Sequence, residues 1–197
     1  MYLTALSKIL TMRNLLLALA PVLLSGTLTA QGVFSNKTQS VLEKVIQDYP
    51  NHFLNIKGEL ISQAAQSTRY QSTLQLPGSS STVVMVASPG AMGSGWACTV
   101  LETPSFETAK GRYAEIFGQL SNSIINSSSQ KTFILSGQYE VPSQDHKSSH
   151  VLFSLLPGVG DLKNLRVDLS LVQDGQVWKI YLSVQDGNST QGAMTSN

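Results

Sequence analysis

One cysteine, Cys98, stands in a chain of 197 residues, so no intramolecular disulfide can form and the fold must rest on its apolar core. Charge is also scarce. Asp, Glu, Lys and Arg make up 13% of the chain and the net charge is +1, about half the usual share of charged residues. That excludes a strongly basic surface for nucleic acid or anionic membranes. It also excludes the high-charge, low-hydrophobicity composition of disordered chains. Ser, Thr, Asn and Gln supply the polar surface instead, as is common in exported bacterial proteins. No apolar run reaches the roughly 20 residues that a membrane-spanning helix requires. The twelve acidic residues are scattered, with no paired carboxylates of the kind general acid–base catalysis uses.

The apolar run that is present lies near the N-terminus. Met12-Arg13-Asn14 precedes Leu15–Leu24, LLLALAPVLL, followed by SGTLTA and Gln31. A positive segment, a short apolar segment and a small residue at the cut describe a secretory signal peptide over 1–30, cleaved after Ala30. Met12 is an alternative start, and an uncut anchor the competing reading. No cysteine follows the run, so a lipid-anchored form is not supported. The expected destination is periplasmic or extracellular, with no stable membrane span after cleavage.

Beyond residue 31 the hydrophobic period alternates between helix and strand. Residues 31–37 read as a flexible lead-in. Val41, Leu42, Val45, Ile46 and Tyr49 recur at helical spacing, with Glu43, Lys44, Gln47 and Asp48 on the other side. Ser35 or Asn36 can cap this helix, and Pro50 stops it. Four strands are expected at 53–61, 70–78, 81–87 and 95–102. A second helix opens at Ser105, a good N-cap, and buries Phe106, Ala109, Tyr113, Ile116, Phe117, Leu120 and Ile124. Residues 121–130 read as a polar loop. Four more strands follow at 132–140, 150–158, 164–172 and 177–184, the last two joined by the hairpin signal Asp174-Gly175. Residues 187–197 have no apolar pattern and read as a disordered tail.

The two halves echo one another. Gly58, Leu76-Pro77-Gly78 and Trp96 find counterparts in Gly137, Leu156-Pro157-Gly158 and Trp178. Gly58 to Gly78 is 20 residues and Gly137 to Gly158 is 21; Gly78 to Trp96 is 18 and Gly158 to Trp178 is 20. This reads as a duplication. The expected fold class is α+β: a tandem α-β4 repeat, 31–102 and 103–186, packed as one globular unit with an antiparallel sheet and two helices on one face. In its order of elements, residues 36–184 resemble the layout of the secreted β-lactamase inhibitor proteins. Those proteins carry disulfides in each repeat and this chain cannot, so the resemblance implies the fold and carries over no binding residue.

Candidate chemistry is thin. Asp145, His146 and His150 form a D-H-x-x-x-H cluster, the weak candidate for metal and the basis of an alternative reading as a metal-assisted hydrolase using His146 and His150. The polar loop around them and the want of a further ligand favour solvated histidines. His52 is expected at an exposed turn. Cys98 could be a nucleophile beside a histidine, but it shares a face with Trp96 and reads as core. The glycine-rich loop 90–95 enters a strand, which rules out a phosphate loop. Ser94 lies in Gly-Ser-Gly rather than a nucleophile elbow. No cofactor is expected. The most usable surface is the outward face of the last two strands, where Arg166, Asp168, Lys179 and Tyr181 point away from the helices. They read either as a solvated face with cross-strand charge pairs or as a recognition face for an unknown protein or small-molecule partner. The reading is an exported non-catalytic binding module.

Overall fold

The computed structural model describes residues 31–91, 93–127 and 130–187. The signal-peptide reading and all but the first residue of the expected tail lie outside them. The fold is α+β: nine antiparallel strands in one sheet, with two helices. Helix α1 spans Gln31–Asp48 and α2 spans Phe106–Ser121. The strands are β1 (Lys57–Gln63), β2 (Ser67–Ser72), β3 (Ser81–Ala87), β4 (Gly95–Thr103), β5 (Ile124–Asn126), β6 (Thr132–Ser136), β7 (Ser148–Leu156), β8 (Leu165–Asp174) and β9 (Val177–Asp186). Their spatial order is β1-β2-β3-β4-β9-β8-β7-β6-β5. Among the described residues no helix is long and apolar enough to cross a membrane.

Strand alternation sets two faces. Trp96 pairs with Val184 and Cys98 with Leu182 across β4–β9, and Val167 and Leu169 continue the rows on β8. All six are buried. Helix α2 lies on this face: Phe106 meets Trp178 at 4.9 Å between ring centroids, and Phe117 meets Phe153 at 5.5 Å. Ser105 caps α2 as expected, its Oγ accepting from the Thr108 amide at 3.2 Å, an arrangement worth about 1 kcal/mol.

Helix α1 departs from expectation. It begins at Gln31, so residues 31–37 are helical rather than a lead-in, and positions 35 and 36 lie within the helix rather than at its start. Its apolar stripe Leu42, Val45 and Ile46 is buried. Glu43 and Gln47, on the side expected to face solvent, dock on β5 instead. The Nε2 groups of Gln39 and Gln47 donate to the carbonyls of Ile124 and Asn126 at 2.8 and 2.7 Å. The Asn126 amide donates to Glu43 Oε1 at 2.8 Å. Side chains four residues apart thus satisfy backbone groups of an edge strand that would otherwise invite pairing. The strand itself was hidden in sequence, because 121–130 is polar and β5 has three residues.

The other edge lacks such cover. All of β1 is exposed, Leu60 and Ile61 included, so the half-buried strand expected at 53–61 does not occur. Leu54 is exposed, while Ile56 is buried before the strand begins. The β1–β2 hairpin extends past the helices, and loop residues Phe53, Ile56, Leu74 and Leu76 close the core beside it. Two register shifts interrupt the β1–β2 pairing, a device that discourages edge-to-edge association.

Candidate functional site

The open face is where Arg166, Asp168, Lys179 and Tyr181 stand. Each alternates with residues of the buried face, and the register aligns them in rows. His150, Ser170, Tyr181 and Thr99 form one row across β7, β8, β9 and β4; Leu152, Asp168, Ser183 and Ala97 form the next. The expected cross-strand pairing of their charges does not involve Asp168. Lys179 Nζ bonds Asp174 at 2.7 Å, across the hairpin. Arg166 turns its guanidinium to the carbonyls of Lys163 and Leu165, at 3.0 and 2.8 Å. Asp168 is 8% exposed and its one hydrogen bond comes from Ser170 Oγ at 2.8 Å.

Burial raises the Asp168 carboxyl above the usual carboxylate range, opposed by the Ser170 hydrogen bond and by the nearby His150. Burial likewise pushes up the Tyr181 phenol. From the helix side, Tyr113 Oη donates to the Leu169 carbonyl at 3.3 Å, next to Asp168 along β8. Burial and the Asp168 charge both hold Tyr113 protonated. His150, Ser170 and Asp168 therefore share a face, but the serine proton is directed to the carboxylate and His150 makes no hydrogen bond among the described residues. A nucleophile activated by histidine is not assembled.

A consequence for stability follows. Because the folded carboxyl titrates above the unfolded one, the folded state binds the proton more tightly. Stability therefore falls as pH rises from about 4 through the raised value, and the full cost of the buried charge is present at neutral pH. Asp168→Asn keeps an acceptor for Ser170 and removes the charge. It is expected to raise stability at pH 7 by roughly 1 kcal/mol, with the advantage shrinking toward pH 4. Urea titrations at several pH values check this; a constant difference would refute it.

The same face carries an apolar strip, two rows from Asp168 along β7. Ile124 pairs with Ile134 and Ile134 with Leu156, so three large aliphatic side chains lie side by side on β5, β6 and β7. All three are exposed, as is Leu152 opposite Asp168. The sequence conceals this strip, because helical spacing places Ile124 on the buried stripe of α2 and the polar stretch 121–130 reads as loop.

A second concavity, a cleft of about 1000 Å³, lies among the turn after α1, the Ser88–Ser94 loop, Asp161, Asn164 and the end of β9. Buried Asp48 organises its turn: Oδ1 accepts from the side-chain amides of Asn51 and Asn55 at 3.1 and 2.6 Å, and Oδ2 accepts from the Asn55 amide at 3.1 Å. The sequence placed Asp48 on the solvent side; it is buried because the chain folds back over it. His52 and Phe53 both take positive φ, 54° and 62°, within this turn. Tyr49 Oη donates to Asp186 Oδ2 at 2.7 Å on the cleft wall, and its phenol is pushed up by burial first and by that bond second.

The remaining candidates separate. His146 lies in the turn before β7 and His150 on the open face; among the described residues no three of His, Cys, Asp and Glu converge to hold a metal. Cys98 is buried, its thiol pushed up by burial, with Thr82 Oγ1 3.6 Å from Sγ. Both tryptophans are core, and Trp96 Nε1 donates to Ser72 Oγ at 3.1 Å. Comparison of the chain with protein-family models, with curated proteins and with solved structures finds no match.

Proposed function

We propose that the chain is an exported, non-catalytic binding protein that engages a protein partner through its open sheet face. The observation that carries this reading is the exposed row Ile124–Ile134–Leu156, with exposed Leu152 farther along β7 on the same face. A sheet face kept for solvent alternates apolar-in with polar-out. Large aliphatic side chains paired directly across three strands of that face mark an interaction surface instead. Arg166, Asp168, Tyr181 and Lys179 lie in successive rows to the polar side of the strip. The signal-peptide pattern over 1–30 supports export.

The tandem duplication belongs to the same reading. The strand order is palindromic about the β4–β9 seam, with β1–β4 on one side and β6–β9 on the other. Trp96 and Trp178 then fall at opposite ends of that seam, Trp96 opposite Val184 and Trp178 opposite Thr103, as a two-fold relation between copies requires. The seam would be the joint that let two small sheets share one core.

A photoreactive residue placed at position 134 tests the partner face. In the producing cell it is expected to give a discrete covalent adduct with one partner in the exported fraction, and the same residue at Lys44, on the exposed side of α1, is expected to give none. Adducts of equal yield at both positions, or at neither, would refute the reading.

A further inference from the structure

The open face holds one group whose bonding is incomplete. An ionised carboxylate offers about four acceptor positions; Asp168 uses one, for Ser170 Oγ. The buried side-chain atoms without a partner, among the described residues, are Gln119 Oε1 and Ser121 Oγ. The second oxygen of Asp168 is not one of them and makes no hydrogen bond, so it is reached from the open side. The neighbouring cations of the face are engaged elsewhere, Lys179 with Asp174 and Arg166 with backbone carbonyls. His150 lies near enough to favour the charged carboxylate but makes no hydrogen bond to it. A largely desolvated carboxylate with no cation bonded to it costs stability in the free protein and attracts strongly once a cation arrives.

We propose that this face recognises an arginine or lysine side chain of a protein partner at Asp168, with an apolar neighbour of that residue laid on Leu152 and the partner continuing past Arg166 toward the Ile124–Ile134–Leu156 row. The inference rests on the partner-face reading and adds the chemistry of the partner. A polypeptide fits because it can span separate features of one face: Leu152 stands directly opposite Asp168, and the apolar strip begins at Leu156, four residues on along β7. A nucleic acid would bring negative charge to a carboxylate. A metal ion would need further ligands, and no group of three converges here among the described residues. The arrangement is that of an interface anchor, one charge held in a dry setting with apolar surface around it.

Amide chemical shifts of the full chain, followed during titration with the peptide acetyl-Leu-Arg-Leu-amide, test this. Shifts are expected at Leu152, Asp168, Ser170 and Ser183. The apparent affinity should drop about tenfold, the equivalent of one well-formed charge contact, for acetyl-Leu-Gln-Leu-amide and likewise for the Arg peptide on Asp168→Asn. Leu152→Ala leaves the carboxylate in place and is expected to weaken both peptides alike. Equal binding of the Gln and Arg peptides at this face would overturn the cation inference while leaving the face itself standing. Undiminished binding of the Arg peptide to Asp168→Asn would overturn it as well. No shift at the face with either peptide would overturn both readings.

Discussion

Asp48→Ala is expected to destabilise the fold by about 3 kcal/mol, since each hydrogen bond to a charged group is worth roughly 1.5–3 kcal/mol and part of the loss is recovered by water. Three bonds end on this carboxylate, from Asn51 and twice from Asn55. Together they hold a turn in which His52 and Phe53 occupy the left-handed region, a conformation that residues other than glycine keep only when their surroundings impose it. Phe53 is a buried core residue, so releasing the turn also loosens the packing beside Tyr49, whose ring lies 6.0 Å away. Asp48→Asn should lose less. Its oxygen can still accept from the two side-chain amides, while its NH2 group would face the Asn55 amide donor. Urea unfolding monitored by tryptophan fluorescence measures both variants. A loss below about 1 kcal/mol for alanine would show that the turn is held by packing alone.

Gly137→Ala is expected to cost about 2 kcal/mol, within the usual range for overpacking a core. An added Cβ would stand 2.7 Å from Cδ1 of Phe153 and 2.9 Å from Cγ1 of Val151. Neither neighbour can retreat easily. Phe153 is fully buried and its ring packs on Phe117, which in turn packs on Tyr139 at 4.7 Å. The stiffening that alanine brings to the unfolded chain returns at most about 1 kcal/mol. Combining Gly137→Ala with Phe153→Leu should cost less than the two separate losses added together, because the smaller side chain vacates the space. A double-mutant cycle measures that coupling. Strict additivity would mean that the glycine is needed for some reason other than contact with the ring.

Gly137 also shows where sequence reasoning ends. The sequence pairs it with Gly58, at similar distances from the Leu-Pro-Gly turns, as the proposed duplication expects. Its cause is not legible there. Gly58 is constrained by the Gln71 carbonyl of the neighbouring strand, whereas Gly137 lies on two side chains of the core. One residue type in corresponding places answers two different contacts. Cys98 is the opposite case: its position in the alternation with Trp96 was enough to read it as core, since strand period alone decides which face a residue takes.

The outward direction of Arg166, Asp168, Lys179 and Tyr181 was likewise readable from period. Which charges would meet was not. Lys179 met Asp174 across the hairpin, and Asp168 was left with a serine. The cleft escaped the sequence entirely, because its walls come from segments more than a hundred residues apart. Strand β5 escaped because it is short and set in a polar stretch, and its edge is satisfied by side chains of a helix some eighty residues earlier.

By itself, the sequence determined the α+β class, eight of the nine strands, both helices in outline, and which residues of the central strands face the core. These follow from local period and turn chemistry, which need no knowledge of neighbours. Only the tertiary structure decided that α1 guards the β5 edge, that β1 stands outside the core, and that an exposed aliphatic row shares a sheet face with a nearly buried carboxylate. Each of these is a relation between distant segments, set by which strands pair and which surface the helices happen to cover.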